Sequence, residues 1–548
     1  MSTLDEARKA ADGPRRAETD VVASKQAVVV IHGIGEQVPL ETLRSFVETV
    51  YQRDTGDMTA RPLSNDPDLG VVNQVWAVPD DATGTAELRR ISTPPDEKGV
   101  RTDFFEFYWA DIMEGTPIEE VYGWLRGLLL RSPFSIPRDV RVWIAWLALW
   151  GLSIAVALLL VATIDPTGVL IEVIVHPVKV WLGSFHKLAG WIIVVFGVAL
   201  GAIRYVSGMP LARVRTTLPT LAIVAGLLIA LLPDDVLGND KVWSAVIAAA
   251  LALMLNGIVA PYAGDIVRYV RATPKTVDRR RLIRERGMKL LDDLHGTDGK
   301  TGAPIYDRVV IVAHSLGTII GYDLIQLYWE KEGPTHHKRP LTSMAAGAAY
   351  AALDEDVRAA WVGDADVPFD LARYRERQAT LAGIIGKSKL RFRITDFITL
   401  GAALNHASFL VADDEDALKR SFEERYLSSA PPRPDGPKSS MIYWEWPQPG
   451  RPNARGPFLH FASAFASVRW TNLYDKYWLP LFGDIVSGPL ADAFGPGVED
   501  RPVTITRPGW VRGANRFFTH TLYWTWHPSY ANGKEPEHIK LLRAAIRF

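Results

Sequence analysis

Two short runs dominated by β-branched residues constrain the fold more than anything else in the chain. They are Gln26 to Ile31 (Gln-Ala-Val-Val-Val-Ile) and Tyr306 to Ala313 (Tyr-Asp-Arg-Val-Val-Ile-Val-Ala). A strand with one wet face alternates apolar and polar residues, whereas continuous apolarity marks a strand covered on both faces, as in a parallel sheet between helix layers. The first run ends in His32-Gly33-Ile34-Gly35. The second ends in His314-Ser315-Leu316-Gly317 and leads into a helical pattern, Thr318 to Trp329. Further strands are predicted at Arg89 to Thr93, Asp103 to Trp109, Asp396 to Leu400 and Val468 to Tyr474. Helices are predicted at Pro117 to Leu130, Asp278 to Leu294, Leu371 to Ile385 and Glu537 to Ile546. Ser428 to Pro457, rich in Pro, Gly and Ser, reads as a long surface loop. The predicted class is α/β, a mostly parallel sheet flanked by helices.

At 548 residues the chain exceeds one ordinary core, so a large α/β domain carrying an insertion is expected. Residues 1–25 read as a flexible polar leader without an apolar stretch of signal-peptide length. Residues 26–141 and 265–548 read as the two parts of the α/β domain. Between them, 142–264 holds much of the apolar excess that makes the whole chain 48% hydrophobic. Val142 to Ile164 is uncharged and long enough to cross a hydrocarbon core of about 30 Å. Leu188 to Ile203, Thr217 to Pro233 and Val242 to Gly264 are read as three more spans, the second and third of the four being short enough to form a re-entrant hairpin instead.

Charge flanks orient these spans. Arg126, Arg131, Arg138 and Arg141 precede the first; Arg204, Arg213 and Arg215 lie between the second and third; Arg268, Arg271, Lys275, Arg279, Arg280 and Arg281 follow the fourth. The opposite loops offer Lys179, Lys187 and Lys241. The positive-inside rule then predicts a multi-pass integral membrane protein with the α/β domain and both termini cytoplasmic, and the bilayer as a partner. The spans contain no Asp, Glu, Lys or Arg that would mark an ion path.

Composition excludes other classes. Lys plus Arg number 61 against 62 Asp plus Glu, which leaves no basic field for nucleic acid. Without cysteine there is no disulfide, thiolate metal site or cysteine nucleophile. No spaced cluster of His or carboxylates argues for a metal, and no motif argues for a cofactor.

The chemistry concentrates at the second run. A serine on a sharp turn between a buried strand and a helix has its hydroxyl exposed, provided its neighbours two positions away are small; Ala313 and Gly317 flank Ser315 in this way. The turn puts the Leu316 N–H at the helix N-terminus, where it can face a developing oxyanion. The plainer alternative is a helix-capping serine. Glycines in the His32–Gly35 turn let backbone approach a reacting carbonyl, and the Ile34 N–H is the second candidate donor.

These two motifs resemble the α/β-hydrolase superfamily, in particular its lipase and esterase branch, with its His-Gly oxyanion loop and Gly-x-Ser-x-Gly elbow. The resemblance covers residues 26 to 35 and about 305 to 525, and Ala313 replaces the first elbow glycine. It implies Ser315 as nucleophile, Ile34 and Leu316 as oxyanion donors, and a triad in the order Ser, acid, His. For the acid it points to Asp484 in a loop after a late strand, with Asp475 at that strand's end as the alternative. For the base it points to His520, with His406 and His527 as alternatives; His314 reads as structural, and His336 and His337 as solvated. The implied reaction is carboxylic ester hydrolysis through an acyl-enzyme, with a lipid-like ester expected from membrane placement. An acyltransferase or thioesterase using the same triad, or a catalytically inactive membrane scaffold, are the competing readings.

Overall fold

The computed structural model describes residues 24–34, 38–54, 73–80, 88–96, 98–113, 277–335, 344–361, 368–386, 391–434, 440–448, 451–476, 482–507, 514–516, 518–526 and 535–546, with isolated positions between them. Their centre is an eight-stranded, mostly parallel sheet. Its strands in chain order are β1 (Lys25–Ile31), β2 (Trp76–Pro79), β3 (Arg89–Ser92), β4 (Arg101–Phe107), β5 (Arg308–His314), β6 (Ile394–Leu400), β9 (Arg469–Asp475) and β10 (Val498–Val503). In space they run β10-β9-β6-β5-β1-β4-β3-β2. The pairs from β4 through β10 are parallel, and β2 and β3 form an antiparallel edge.

The two apolar runs are central neighbours, with Val29 opposite Ile311 and Ile31 opposite Ala313. Their residues alternate between two cores, which is why both runs lack a polar face. Ala27, Val29, Ile31, Val309 and Ile311 pack beneath α2 (Val277–Leu294), α3 (Gly317–Glu332), α4 (Met344–Trp361) and α5 (Leu371–Gly386). Val28, Val30, Val310 and Val312 meet α1 (Glu41–Val47) and α7 (Glu537–Ile546), which contribute Leu43, Phe46, Leu542 and Ile546. A further helix, α6 (Glu415–Glu423), is capped by Asp414, which accepts from the Ala417 N–H at 2.6 Å.

Two expectations change, and a third is untested. Within Ser428 to Pro457 the chain forms an antiparallel hairpin, β7 (Ile442–Gln448) with β8 (Arg451–Leu459); the aromatic run Tyr443-Trp444-Glu445-Trp446 favours strand and outweighs the surrounding prolines and glycines. The Pro117 to Leu130 helix lies outside the described residues. The expectation of a multi-pass integral membrane protein is also corrected: among the described residues no helix is long and apolar enough to cross a membrane. The spans read at 142–164, 188–203, 217–233 and 242–264 lie outside the described residues except for isolated positions. One of these positions supplies a physical reason: Trp146 is buried against Trp150 and Phe409, so apolarity there serves contact with protein.

The N-terminal ends of three central strands are clamped by charge. Asp396 on β6 takes Arg308 Nη2 of β5 at 2.6 Å, Arg469 Nη2 of β9 at 2.8 Å and the Thr395 hydroxyl at 2.6 Å. Burial pushes the Asp396 pKa up, but the two guanidiniums and the hydrogen bonds outweigh it and hold it down at about 2. A carboxyl whose folded pKa lies below its unfolded value of about 3.9 stabilises the fold above that value and loses the contribution as pH falls towards 2. Asp396→Asn is therefore expected to lower the unfolding free energy by about 3 kcal/mol at pH 7, because it removes the countercharge of the buried Arg308 guanidinium and of the partly buried Arg469. The deficit should shrink near pH 3. Urea unfolding at both pH values checks this, and an equal deficit at each would contradict it.

Candidate active site

Parallel register brings the carboxyl ends of β1, β5, β6 and β9 to one edge of the sheet, beside the point where strand order turns outward in both directions. Open α/β sheets bind ligands there. His32 to Ile34 leave β1, Ser315 leaves β5, Gly401 leaves β6, and the loop carrying Asp484 follows β9.

Ser315 occupies the left-handed region, with φ of 55°, at a cost of roughly 1–2 kcal/mol for a residue with a Cβ. The turn is tight: a Cβ on Gly317 would lie 2.5 Å from the His32 carbonyl oxygen and 2.7 Å from that of Ile31. Glycine at 317 thus lets α3 start against the end of β1. A Cβ on Gly33 would lie 2.8 Å from the Ser315 Cβ, so the His-Gly loop runs directly past the serine. Neither the Ile34 nor the Leu316 N–H meets an acceptor among the described residues.

His520 lies on a short turn, Thr519–Thr521. Its Nε2 is 2.9 Å from Ser315 Oγ, and its Nδ1 is 3.0 Å from both carboxylate oxygens of Asp484. A carboxylate only accepts, so Nδ1 carries the proton and Nε2 is left to accept from the Ser315 hydroxyl. Asp484 Oδ1 also accepts the N–H of Val486 at 2.9 Å and of Ser487 at 3.3 Å, and Oδ2 accepts the Tyr523 hydroxyl at 2.8 Å. Burial raises the Asp484 pKa, but His520 and these hydrogen bonds override it and hold the carboxyl well below its ordinary range. Main-chain bonds tie the acid loop to the histidine loop, from Gly483 N–H to the Arg516 carbonyl at 2.7 Å and from Thr519 N–H to the Gly483 carbonyl at 3.1 Å.

The structure thus brings together Ser315, His520 and Asp484, with Gly33, Ile34 and Leu316 beside them. Asp475 stands apart from the imidazole: its buried carboxylate takes Arg516 and the Thr519 hydroxyl, each at 2.6 Å. His406 lies 3.4 Å from the Ile485 carbonyl oxygen, beside the acid loop. His336, His337 and His527 lie outside the described residues, as does Gly35.

Trp109 has no signal in the sequence as a support, and His314, expected to be structural, makes a contact that no local pattern shows. Trp109, just past β4, stacks on His32 at 5.0 Å and donates its indole N–H to the His32 carbonyl at 3.1 Å. Burial lowers the His32 pKa to about 4; the neutral ring donates Nδ1–H to the Gly33 carbonyl at 2.8 Å, bracing the turn that carries Ile34. His314 donates Nε2–H to the His520 carbonyl at 2.7 Å. Burial and the neighbouring His520 lower its pKa to about 3, so the His314 ring stays neutral beside His520. A pattern search for strand and turn signals detects neither contact, because each joins segments far apart in the chain.

No protein-family model, curated protein or solved structure matches the chain. The geometry that remains to be explained is a serine hydroxyl on a strained turn, an imidazole within hydrogen-bond reach of it, a buried carboxylate behind the imidazole, and two N–H donors without an acceptor among the described residues.

Proposed function

We propose that the chain is a serine hydrolase of the α/β-hydrolase type that cleaves carboxylic esters through an acyl-enzyme on Ser315. The observation that carries this reading is the unbroken hydrogen-bond chain from Ser315 Oγ through His520 to Asp484, beginning on a left-handed serine beside two backbone donors, Ile34 and Leu316, that meet no acceptor among the described residues.

In the acylation step Ser315 Oγ attacks the ester carbonyl carbon as its proton passes to His520 Nε2. The Ile34 and Leu316 N–H groups face the oxyanion of the tetrahedral intermediate. Collapse expels the alcohol, which takes the proton back from His520. Water then enters, gives a proton to the same nitrogen and attacks the acyl carbon, and as the acyl–Oγ bond breaks Ser315 Oγ takes that proton from His520, which releases the acid and restores the serine. Asp484 stays ionised, holding the tautomer and balancing the imidazolium.

The test is covalent labelling. Folded protein treated with a fluorophosphonate is expected to gain one adduct, located by peptide mass spectrometry on Ser315, and to lose its hydrolysis of p-nitrophenyl butyrate in proportion. Folded protein that takes up no label would sink the proposal.

A further inference from the structure

The phenol of Tyr523 is the junction between the end of β9, the acid loop and the histidine loop. Its oxygen lies 2.8 Å from Asp484 Oδ2, 3.0 Å from the Asp475 backbone nitrogen and 3.0 Å from Ser487 Oγ. A phenol has one hydrogen to donate and two lone pairs to accept with. Since ionised Asp484 can only accept, Tyr523 donates to it. The Asp475 N–H and the Ser487 hydroxyl then supply the two remaining bonds, and the oxygen is fully used.

This junction is buried, with Tyr523 1% exposed, and Gly401 leaves room for its ring: a Cβ there would lie 2.8 Å from the Tyr523 Cε2. The residue that donates its N–H to Tyr523 also uses its side chain: Asp475 binds Thr519, the neighbour of His520, and Arg516. The end of β9, the acid loop and the histidine loop are thereby joined through one hydroxyl. The titratable and charged groups around it are Asp484, Asp475, Arg516, His520 and His314, whose ring centroid is 5.9 Å from that of Tyr523. Burial keeps the phenol protonated well past its ordinary range.

We propose that Tyr523 is a positioning residue of this site, aiming the Asp484 carboxylate at His520 Nδ1 and drawing off part of its negative charge; the proposal rests on the serine-hydrolase reading. Charge-assisted hydrogen bonds of this kind are the stronger class, and their donor sets how basic the acceptor is. Removing the donor leaves Asp484 Oδ2 with more charge for the imidazolium, so the protonated base is favoured. A stronger donor does the reverse.

The experiment compares wild type, Tyr523→Phe and protein carrying 3-fluorotyrosine at position 523, each normalised to its fluorophosphonate-reactive serine. For Tyr523→Phe, kcat on p-nitrophenyl butyrate is expected to fall about tenfold with KM nearly unchanged, and the acid limb of the kcat/KM profile to move to higher pH. Fluorine beside the hydroxyl makes the phenol a better donor at nearly the same size, so the acid limb moves to lower pH. If Tyr523→Phe loses only thermal stability, with kcat and the acid limb unmoved, the residue merely packs and the proposal is overturned. Should Tyr523→Phe fail to fold, the fluorinated protein decides: an unshifted acid limb overturns the proposal. Wild type that neither labels nor hydrolyses overturns the serine-hydrolase reading itself, an outcome distinct from an active wild type insensitive to position 523.

Discussion

Ser315→Ala is expected to lower kcat/KM for p-nitrophenyl butyrate by at least about 10⁴-fold while leaving the fold intact. Alanine keeps the Cβ and the same left-handed backbone, so only the hydroxyl is lost. What remains is whatever the Ile34 and Leu316 donors and substrate binding provide. Members of a working triad fail together, so His520→Ala and the double variant Ser315→Ala/His520→Ala should show losses close to that of Ser315→Ala alone. Losses that multiply would mean that the two residues act independently, contrary to the 2.9 Å contact between them. Ser315→Gly is an informative companion: it is equally inactive, yet it releases roughly 1–2 kcal/mol of backbone strain, offset in part by roughly 0.5–1 kcal/mol of glycine entropy. Steady-state rates and thermal unfolding on the same preparations separate the two effects.

The second large effect belongs to Asp484→Asn, with an expected loss in kcat of about 10⁴-fold near neutral pH. Two backbone N–H groups face Oδ1, so the asparagine oxygen stays there and its amide nitrogen takes the place of Oδ2. That nitrogen stands at the Oδ2 place, 3.0 Å from His520 Nδ1, and as a donor it favours the tautomer in which Nδ1 accepts. The ring proton moves to Nε2, the nitrogen that has to receive the Ser315 proton. Asp475→Asn should cost less than about tenfold, because its carboxylate binds Arg516 and Thr519 and leaves the imidazole tautomer alone. Measured rates in the opposite order would reassign the acid.

The sheet and the serine were legible because their causes are local. A strand covered on both faces must be apolar throughout, which marks Gln26–Ile31 and Val309–Ala313, and a tight strand-to-helix turn needs a small residue at 317. Register then dictates that the turns after these strands are adjacent. The acid was less legible. Asp475 and Asp484 both follow the same strand, and only the three-dimensional path of the chain turns one towards His520 and the other towards Arg516. Trp109 and Tyr523 were illegible as supports, and His314 was legible as structural but without its partner, for the same reason: they act across segments distant in sequence, where no periodicity records the contact. The membrane expectation failed differently. Mean apolarity over a window measures avoidance of water, and it does not say whether lipid or protein does the covering; Trp146 against Phe409 illustrates the second case.

The central pairing of β1 with β5 has a consequence for how the molecule comes into being. The ribosome releases β1 long before its neighbour β5, and the loop with His520 comes later still. At about 5–20 residues per second, roughly 25–100 s separate the emergence of Gly33 from that of His520. Until β5 emerges, the side of β1 that β5 will cover is an unpaired apolar edge, the kind of surface that chaperones cover. On the serine-hydrolase reading, competence accordingly arrives as a late, single event of biosynthesis, and a nascent chain stalled before residue 520 holds Ser315 without the imidazole that contacts it.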